Sequence, residues 1–591
     1  MKCKKIIICA GTGCISCKSL EIAELIEKEL IKREVAGVKI VKTGCFGLCS
    51  RAPMMILEPD GCFYTDLKLE DIPEIVTEHI IGEKPIERLQ YKDENGKPAS
   101  KDEANFFKKQ MKIALRRCSV VDPKSIDDFI QEDGFKALEK VLGGMTSDDV
   151  INMITESGLR GRGGAGFSTG KKWGAARRAK GERKFIVCNA DEGDPGSFMD
   201  RCILEGDPFS VIEAMAIAGF AVGAEEGFVY IRKEYALAVD RIKNAISQAK
   251  ERGFLGENIL GSGFSFNISL TFGTGAFVSG ESTAICNTIE GKRGLPRVKP
   301  PSMAVKGIFG CPTVINNVET LANVGNIILR GTEWFASIGT YGSSGTKVFA
   351  LGGNVENIGL IEVPMGTTLR EIIFDIGGGI PDGKNFKSAQ IGGPSGGCVP
   401  KEYLDVRIDF DSLEAIGSMM GSGSLIVIDD SNCIVNMAKF FMEFIIEESC
   451  GKCPPCRIGA VRIYELLTKI TDGKGEQEDL DELSGLCDVL KELSFCGLGK
   501  TAANPVLSTL KYFREEYLAH VNEKKCPAGV CAALFRYEIN ENCIGCTRCS
   551  RGCPASAISG KVKQLHNIDG SKCIKCGACL SVCSANAIVK V

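Results

Sequence analysis

SGLRGRGGAGFSTGKKW, residues 157–173, decides how the largest part of this chain folds. Gly161, Gly163 and Gly166 fall in the pattern G-x-G-x-x-G. Alone this is a weak signal, because crowded glycines also simply make a tight turn. The next segment gives it meaning. KFIVCNADE (184–192) reads as a strand that runs into Asn189, Asp191 and Glu192, with Asp194 just beyond. Polar groups at the carboxyl end of a strand in an open α/β sheet commonly face a ligand. Backbone without side chains lets amide N–H groups approach a phosphate or a flat ring edge, and Arg162 and Lys172 add positive charge. Two more strand-like runs, GFVYIRK (227–233) and SFNISLTFG (265–273), alternate with helical text. That alternation predicts an α/β layer fold. GAFVSGESTA, with Gly280 and Glu281, and TVINNVETL, with Asn316 and Asn317, place further polar groups along the same region.

Working outward, the cysteines carry the next signal. There are 29 in 591 residues, an odd number and below the ~8–10% of a short disulfide scaffold. Ten lie between Cys526 and Cys583, bunched at two- to four-residue spacing, which favours metal ligation over disulfides. CIGCTRCSRGCP (543–554) and CIKCGACLSVCS (573–584) are an internal repeat, each C-x2-C-x2-C-x3-C. This is the bacterial two-cluster ferredoxin spacing, in which three cysteines grip one cubane and the fourth reaches the other. One [4Fe–4S] cluster is expected on Cys543, Cys546, Cys549 and Cys583, the second on Cys573, Cys576, Cys579 and Cys553. Pro554 fits that signature; Ser584 departs from it without touching a ligand. A pair of zinc sites or free thiols is the plainer alternative.

ESCGKCPPCRIG (448–459) supplies Cys450, Cys453 and Cys456 on one turn opening a helix, and FCGLG (495–499) supplies Cys496. Zinc can take the same four sulfurs as a cluster. Near the start, Cys9 and Cys14, then Cys45 and Cys49, close two strand-like runs as C-x4-C and C-x3-C. Four thiolates on adjacent loops of a thioredoxin-like fold suit a [2Fe–2S] cluster. Cys3, Cys17 and Cys62 are left over, and Cys17 with Cys14 offers a redox disulfide as the rival reading.

Six motifs in order (the glycine loop, NADEGDPGSF, the GES segment, INNVETL, ESCGKCPPCR and FCGLG) closely resemble the nucleotide-oxidising flavoprotein subunit of respiratory complex I. With its N-terminal module and cluster-rich tail, the whole chain resembles the beta, or diaphorase, subunit of electron-bifurcating [FeFe] hydrogenases and related formate dehydrogenases and transhydrogenases. The resemblance implies FMN held by Gly161, Arg162, Gly163, Gly164, Lys172, Asn189, Asp191, Glu192, Gly280, Glu281, Asn316 and Asn317. It implies NAD(P)H stacking on the flavin near Phe167 and Glu281, with Asp194 and Ser282 close by. Simple core packing is an equal reading of Phe167. The resemblance also implies a [4Fe–4S] cluster on Cys450, Cys453, Cys456 and Cys496, bringing the total to three [4Fe–4S] and one [2Fe–2S]. Implied partners are a hydrogenase or formate dehydrogenase catalytic subunit, a small thioredoxin-like [2Fe–2S] subunit, and ferredoxin. A plain NAD(P)H–ferredoxin oxidoreductase or transhydrogenase, without bifurcation, is the second enzyme reading; a cluster scaffold without catalysis is the third.

The expected class is therefore multidomain α/β. Residues 1–88 form a thioredoxin-like domain, 89–120 a polar linker, and 121–340 a Rossmann-like FMN and nucleotide domain. A small β-grasp-like (SLBB) domain spans 341–430, a helical bundle with a cluster 431–535, and the ferredoxin tail 536–591. Cys526 and Cys531 are unused by any cluster motif; the resemblance to bifurcating enzymes implies a structural metal near this junction, expected here as zinc on Cys526, Cys531, His566 and, as the least supported fourth ligand, Cys487. Two buried thiols and a surface histidine are the bland alternative. In the complex I relatives the residue after the GES glutamate is a second glutamate, where this chain has Ser282, and the upstream acid is here Asp194. A carboxylate beside a 2′-phosphate costs roughly 1–4 kcal/mol, so its loss or shortening predicts that NADP(H) is accepted. The formal net charge of -3 argues against a nucleic-acid-binding body. No apolar run approaches the ~20 residues of a membrane span. MKCKKIIICAGTGC (1–14) reads as a strand entering a ligand loop rather than a signal peptide. A cytoplasmic protein is expected.

Overall fold

The computed structural model describes residues 3–591. The chain forms two compact units, Met1–Ile428 with Phe495–Leu498, and Asp429–Ser494 with Gly499–Val591.

In the first unit, β1 (Lys5–Cys9) pairs in parallel with β2 (Lys39–Thr43) and antiparallel with β3 (Met55–Glu58), which continues to β4 (Cys62–Tyr64). The two faces of β1 have different fates, as a period of two requires. Ile6 and Ile8 pack on α1 (Ser19–Lys32), whose Ile22, Ala23, Ile26 and Leu30 recur at helical spacing. Burying an aliphatic side chain of this kind stabilises by about 1.5–3 kcal/mol. Ile7 and Cys9 face the other way, into a core that also holds Phe106, Phe107, Phe349 and Ile361. Residues 89–120 therefore do not behave as the free linker expected from their polar text. Phe106 and Phe107 enter that core, Leu115 and Cys118 enter the neighbouring one, and the amides of Ala114 and Leu115 each donate 2.9 Å bonds to the Glu362 carboxylate. A few apolar side chains hidden among charges are enough to pin a segment that composition alone marks as linker.

The central sheet is four parallel strands in the order β7-β6-β5-β8: β5 (Phe185–Ala190), β6 (Glu226–Ile231), β7 (Asn267–Phe272) and β8 (Thr313–Asn317). The chain moves from β5 outward to β7, then returns to lay β8 on β5's other edge. The helices on this sheet include α2 (Thr169–Arg178), α3 (Met199–Gly206), α4 (Pro208–Val222), α5 (Ala236–Glu251), α6 (Ser282–Ile289) and α7 (Val318–Arg330). Helix α4 is apolar nearly all round and is buried along its length, as a core helix should be. Asp207 caps its start by accepting from the Ser210 amide at 3.3 Å, and Gly223 ends it at φ 81°.

A five-stranded sheet comes next, built from β9 (Thr346–Gly353), β10 (Gly359–Pro364), β11 (Phe386–Ile391), β12 (Gly397–Pro400) and β13 (Ser424–Asp429), in the order β10-β9-β13-β11-β12. The second unit contains α8 (Ile434–Glu448), α9 (Ala460–Thr471), α10 (Gln477–Leu493), α11 (Asn504–Tyr512) and α12 (Arg514–Val521) around one apolar core. Its last part pairs β14 (Tyr537–Ile539) with β17 (Ile588–Lys590), and β15 (Ile558–Ser559) with β16 (Asn567–Ile568), all antiparallel. Among the described residues no helix is long and apolar enough to cross a membrane.

Candidate functional site

The central sheet has its switch point between β5 and β8, where connections leave in opposite directions. Clefts at such points, outside the carboxyl ends of the strands, are where ligands bind in open α/β sheets. The register sets Asn189 beside Asn317 and Cys188 beside Asn316 at those ends. The side chain of Asn189 donates to the Gly280 carbonyl at 3.0 Å, which draws the GES segment to the same place. Asn316 accepts from Trp173 Nε1 at 2.9 Å, yet its own Nδ2, though buried, finds no acceptor among the described residues. A buried donor left over at a switch point is what a ligand acceptor would satisfy. Above these strand ends runs the 160–167 loop. Gly164, at φ 124°, takes a backbone conformation closed to most side chains, and Phe167 is 58% exposed. Lys172, half-buried on α2, donates to the Ile315 carbonyl at 2.8 Å, and desolvation lowers its pKa to about 8.

Arg162 is built into the packing of its own loop. Its guanidinium is fully buried and donates to the carbonyls of Thr346 at 3.0 Å, Arg160 at 2.9 Å and Ser344 at 2.7 Å. Its amide donates to Thr320 Oγ1 at 2.8 Å. These bonds use three of the five guanidinium N–H groups and anchor the glycine loop to Thr346 and Ser344, while the amide ties it to Thr320 on α7.

Acids line the floor of the cleft. The Glu192 carboxylate accepts the amides of Asp200 and Arg201 at 3.2 and 3.1 Å, capping the first turn of α3. Burial raises its pKa to about 7. The Asp200 carboxylate takes the Asn317 side-chain amide and the Glu319 amide, and burial pushes its pKa well above the usual carboxylate range. Glu319 in turn is paired with Lys347, both fully buried. Asp194 accepts from Ser422 Oγ, and burial raises its carboxyl to about 6. Glu281 caps α6 through the amides of Thr283 and Ala284, with Ser282 as the first helical residue, and its carboxylate meets Lys299 Nζ at 2.7 Å. Burial opposes its charge, but the Lys299 contact and these caps hold its pKa below the ordinary value.

Four N-terminal cysteines come together. Cys9 is within hydrogen-bonding reach of Cys14 and Cys45, and Cys45 of Cys49, and all four are free thiols. The donor set fits a four-thiolate cluster, and Cys9 Sγ also receives the Phe46 amide at 3.4 Å. In the tail, Cys543, Cys546, Cys549 and Cys583 line one small hollow. Another is lined by Cys553, Cys573, Cys576 and Cys579. The crossed sets of the repeat are therefore each gathered around one space. In the second unit Cys450, Cys453 and Cys456 share the loop before α9, with Cys456 Sγ 3.3 Å from Ser449 Oγ; Cys496 lies in the Phe495–Leu498 segment of the first unit.

The four residues expected as zinc ligands do not gather in one place. Cys526 and Cys531 come together, but with Cys433 and His520: all four ligand atoms lie within 4.8 Å of one another, and all four residues are buried. Cys433 Sγ is 3.3 Å from His520 Nε2 and 3.6 Å from Cys531 Sγ, and Cys531 Sγ is 3.4 Å from the same nitrogen. His520 Nδ1 is 2.7 Å from the Glu516 carbonyl, which makes Nδ1 the donor and turns the Nε2 lone pair to the thiols. His566 instead lines the hollow shared by Cys543, Cys546, Cys549 and Cys583, with Nδ1 3.0 Å from the Gln564 carbonyl. Cys487 sits in the apolar core of the helices outside this group. No spacing pattern points to Cys433 or His520, which lie 87 residues apart; the one hint is that Cys433 precedes an apolar helix at its N-cap.

Three family descriptions match the chain: the Nuo51 FMN-binding domain over residues 154–326, the NADH-ubiquinone oxidoreductase-F iron-sulfur binding region over 436–520, and a 4Fe-4S dicluster domain over 542–588. The NADP-reducing hydrogenase subunit HndC of Solidesulfovibrio fructosivorans is 57% identical over 460 residues, 78% of this chain and 94% of that protein. The chain belongs to this flavoprotein family. An NADH-quinone oxidoreductase subunit of Rhizobium meliloti is 47% identical over 415 residues, 70% of this chain and 99% of that protein. Among solved structures, an NAD+-reducing [NiFe]-hydrogenase in the H2-reduced state aligns with a TM-score of 0.61 at 27% identity, over 88% of this chain and 84% of that one. As a member of the family the chain is an oxidoreductase subunit with an FMN-binding domain and iron–sulfur domains, multidomain and α/β.

Proposed function

We propose that this chain is the NAD(P)H-oxidising diaphorase subunit of a hydrogenase, and that the cleft between β5 and β8 holds FMN. The single observation that carries the flavin assignment is the convergence of Asn189, Gly280, Asn316 and Asn317 at the switch point, with the Asn316 amide donor still unsatisfied there. FMN, when bound, accepts a hydride from the nucleotide and passes electrons on singly, chemistry that belongs to the cofactor. The chain's own part is to bind and orient. Backbone at Gly161, Gly163 and Gly164 lets the ring and phosphate approach, Lys172 supplies a cation, and exposed Phe167 offers a stacking surface to the nicotinamide. The buried Glu192–Asp200–Glu319 row, neutralised at one end by Lys347, fixes the strand ends in place.

Lys299 bears on nucleotide choice. Its ion pair with Glu281 offsets the one acid remaining in the GES segment, and Ser282 carries no charge. That arrangement supports acceptance of a 2′-phosphate, and the 57% identical relative is named as NADP-reducing.

For the iron, we assign [2Fe–2S] to Cys9, Cys14, Cys45 and Cys49 in a thioredoxin-like module, and [4Fe–4S] to Cys450, Cys453, Cys456 and Cys496. The tail clusters take the two crossed cysteine sets of the ferredoxin repeat. Cys433, His520, Cys526 and Cys531 form a Cys3His set that suits structural zinc. Partners that fit are a hydrogenase or formate dehydrogenase catalytic subunit, a small [2Fe–2S] subunit and ferredoxin, in an electron-bifurcating complex of the cytoplasm.

Anaerobically purified chain should contain one FMN and reduce viologen with NADPH and NADH, with kcat/KM for NADPH equal or higher. Absence of flavin refutes the enzyme reading in favour of a scaffold, and strict NADH use refutes the reading of Ser282 and Lys299. Product stoichiometry of the intact complex decides bifurcation: simultaneous use of nucleotide and ferredoxin at a fixed ratio supports it, and independent use of either refutes it.

A further inference from the structure

One cysteine outside the four-sulfur N-terminal set is aimed at it. Cys202, 3% exposed, lies on α3 of the central α/β layer, and its thiol is within hydrogen-bonding reach of Cys45. The approach is held from both sides. Thr12, which opens the short helix Thr12–Ser16 after Cys9, donates its amide at 2.9 Å and its hydroxyl to the Glu205 carboxylate at the end of α3. Gly44 meets Gly206 so closely that a Cβ on Gly44 would sit 2.3 Å from the Gly206 Cα. No side chain fits there, so glycine next to Cys45 is what lets the loop reach Cys202. The first turn of the same helix carries Asp200, bound to Asn317 at the flavin cleft. A helix about 12 Å long therefore links the switch point to the sulfur of Cys45.

We propose that Cys202 is a positioning residue for the [2Fe–2S] centre, donating its S–H to Cys45 Sγ and raising the centre's reduction potential. The inference rests on the [2Fe–2S] assignment given above. Reduction adds one electron, supplied by the nucleotide through the flavin, and part of the new negative charge falls on the ligand sulfurs. A donor aimed at one of them stabilises the reduced form more than the oxidised form, and hydrogen bonds to sulfur are among the factors that set such potentials. Burial strengthens the effect, since no water competes for the sulfur. Cys202 keeps its proton throughout, and no covalent bond is made or broken.

The test uses the full-length protein, prepared anaerobically, in a dye-mediated redox titration followed by the electron paramagnetic resonance signal of the [2Fe–2S] centre. Cys202→Ala and Cys202→Val both remove the donor, the second preserving most of the volume, while Cys202→Ser keeps an O–H. At the wild-type midpoint, Ala and Val should lower the reduced-to-oxidised ratio at least threefold, which is about 28 mV at 59 mV per tenfold for a one-electron couple. Ser should hold the ratio at or above wild type, with iron, sulfide and FMN content unchanged in all three. An unmoved midpoint in Ala and Val overturns the proposal. So does loss of two irons in all three variants, which would make Cys202 a ligand. A wild-type protein that keeps FMN and its other clusters but shows no [2Fe–2S] signal overturns the parent assignment instead.

Discussion

Replacing Arg162 by methionine keeps the reach of the side chain and removes its charge and donors. Three carbonyls, of Ser344, Arg160 and Thr346, then lose partners at 2.7–3.0 Å in a fully buried place. Net hydrogen bonds to a charged group contribute about 1.5–3 kcal/mol each, so the lower end gives about 4–5 kcal/mol for three. Burial already costs this cation something, lowering its pKa to about 10, and removing the charge recovers part of that cost. A net loss of about 2–4 kcal/mol remains. Each kcal/mol moves Tm by roughly 2–4 °C in a body of 150–250 residues and by less in the larger unit that holds Arg162, so that unit should melt lower by up to about 8 °C by circular dichroism. Arg162→Lys, with one compact ammonium in place of a planar fork, should fall between. If Arg162→Met melts with the wild type while FMN affinity drops tenfold, the guanidinium serves the ligand and the anchoring role is wrong.

Lys347→Met leaves Glu319 buried without its partner and next to Asp200, and should cost about 3–5 kcal/mol; an unchanged melting curve and flavin content would contradict this. Asp194 has a folded pKa raised to about 6, so the stability it contributes is complete below about pH 4 and disappears as pH rises through 6. Asp194→Asn should therefore gain on the wild type between pH 5 and pH 7.5, by no more than about 3 kcal/mol, and a Tm difference that stays constant across that range would refute the sign. Cys433→Ser or His520→Ala should each lose one equivalent of zinc by metal analysis, whereas His566→Ala should retain it; the reverse pattern would restore the ligand set expected from sequence.

Much of the site was legible because its chemistry is local. The two cysteine repeats specify which sulfurs share a space through spacing of two and three residues. The glycine loop and the strand after it likewise announce a cleft, since a β–loop–α unit puts its polar residues at one end. Contacts set by packing were not legible. The zinc-like group joins residue 433 to residues 520, 526 and 531 only after α8–α12 have closed on one another, and nothing in either neighbourhood marks the pairing. That Arg162 also anchors its own loop is not legible until Ser344 and Thr346 are in place to supply carbonyls. The polar text of 89–120 conceals Phe106, Phe107 and Leu115, whose burial depends on two sheets far apart in the chain.

Ile7, Phe106, Phe107, Phe349 and Ile361 share a single oily interior, with consequences for anyone wishing to cut this protein into pieces. A shortened version beginning near residue 121 would bare the underside of β9 and β10 to water, inviting self-association. Cofactor loading of such a fragment would then report on clumping as much as on chemistry, so the N-terminal module is better silenced by point changes at its cysteines than by excision.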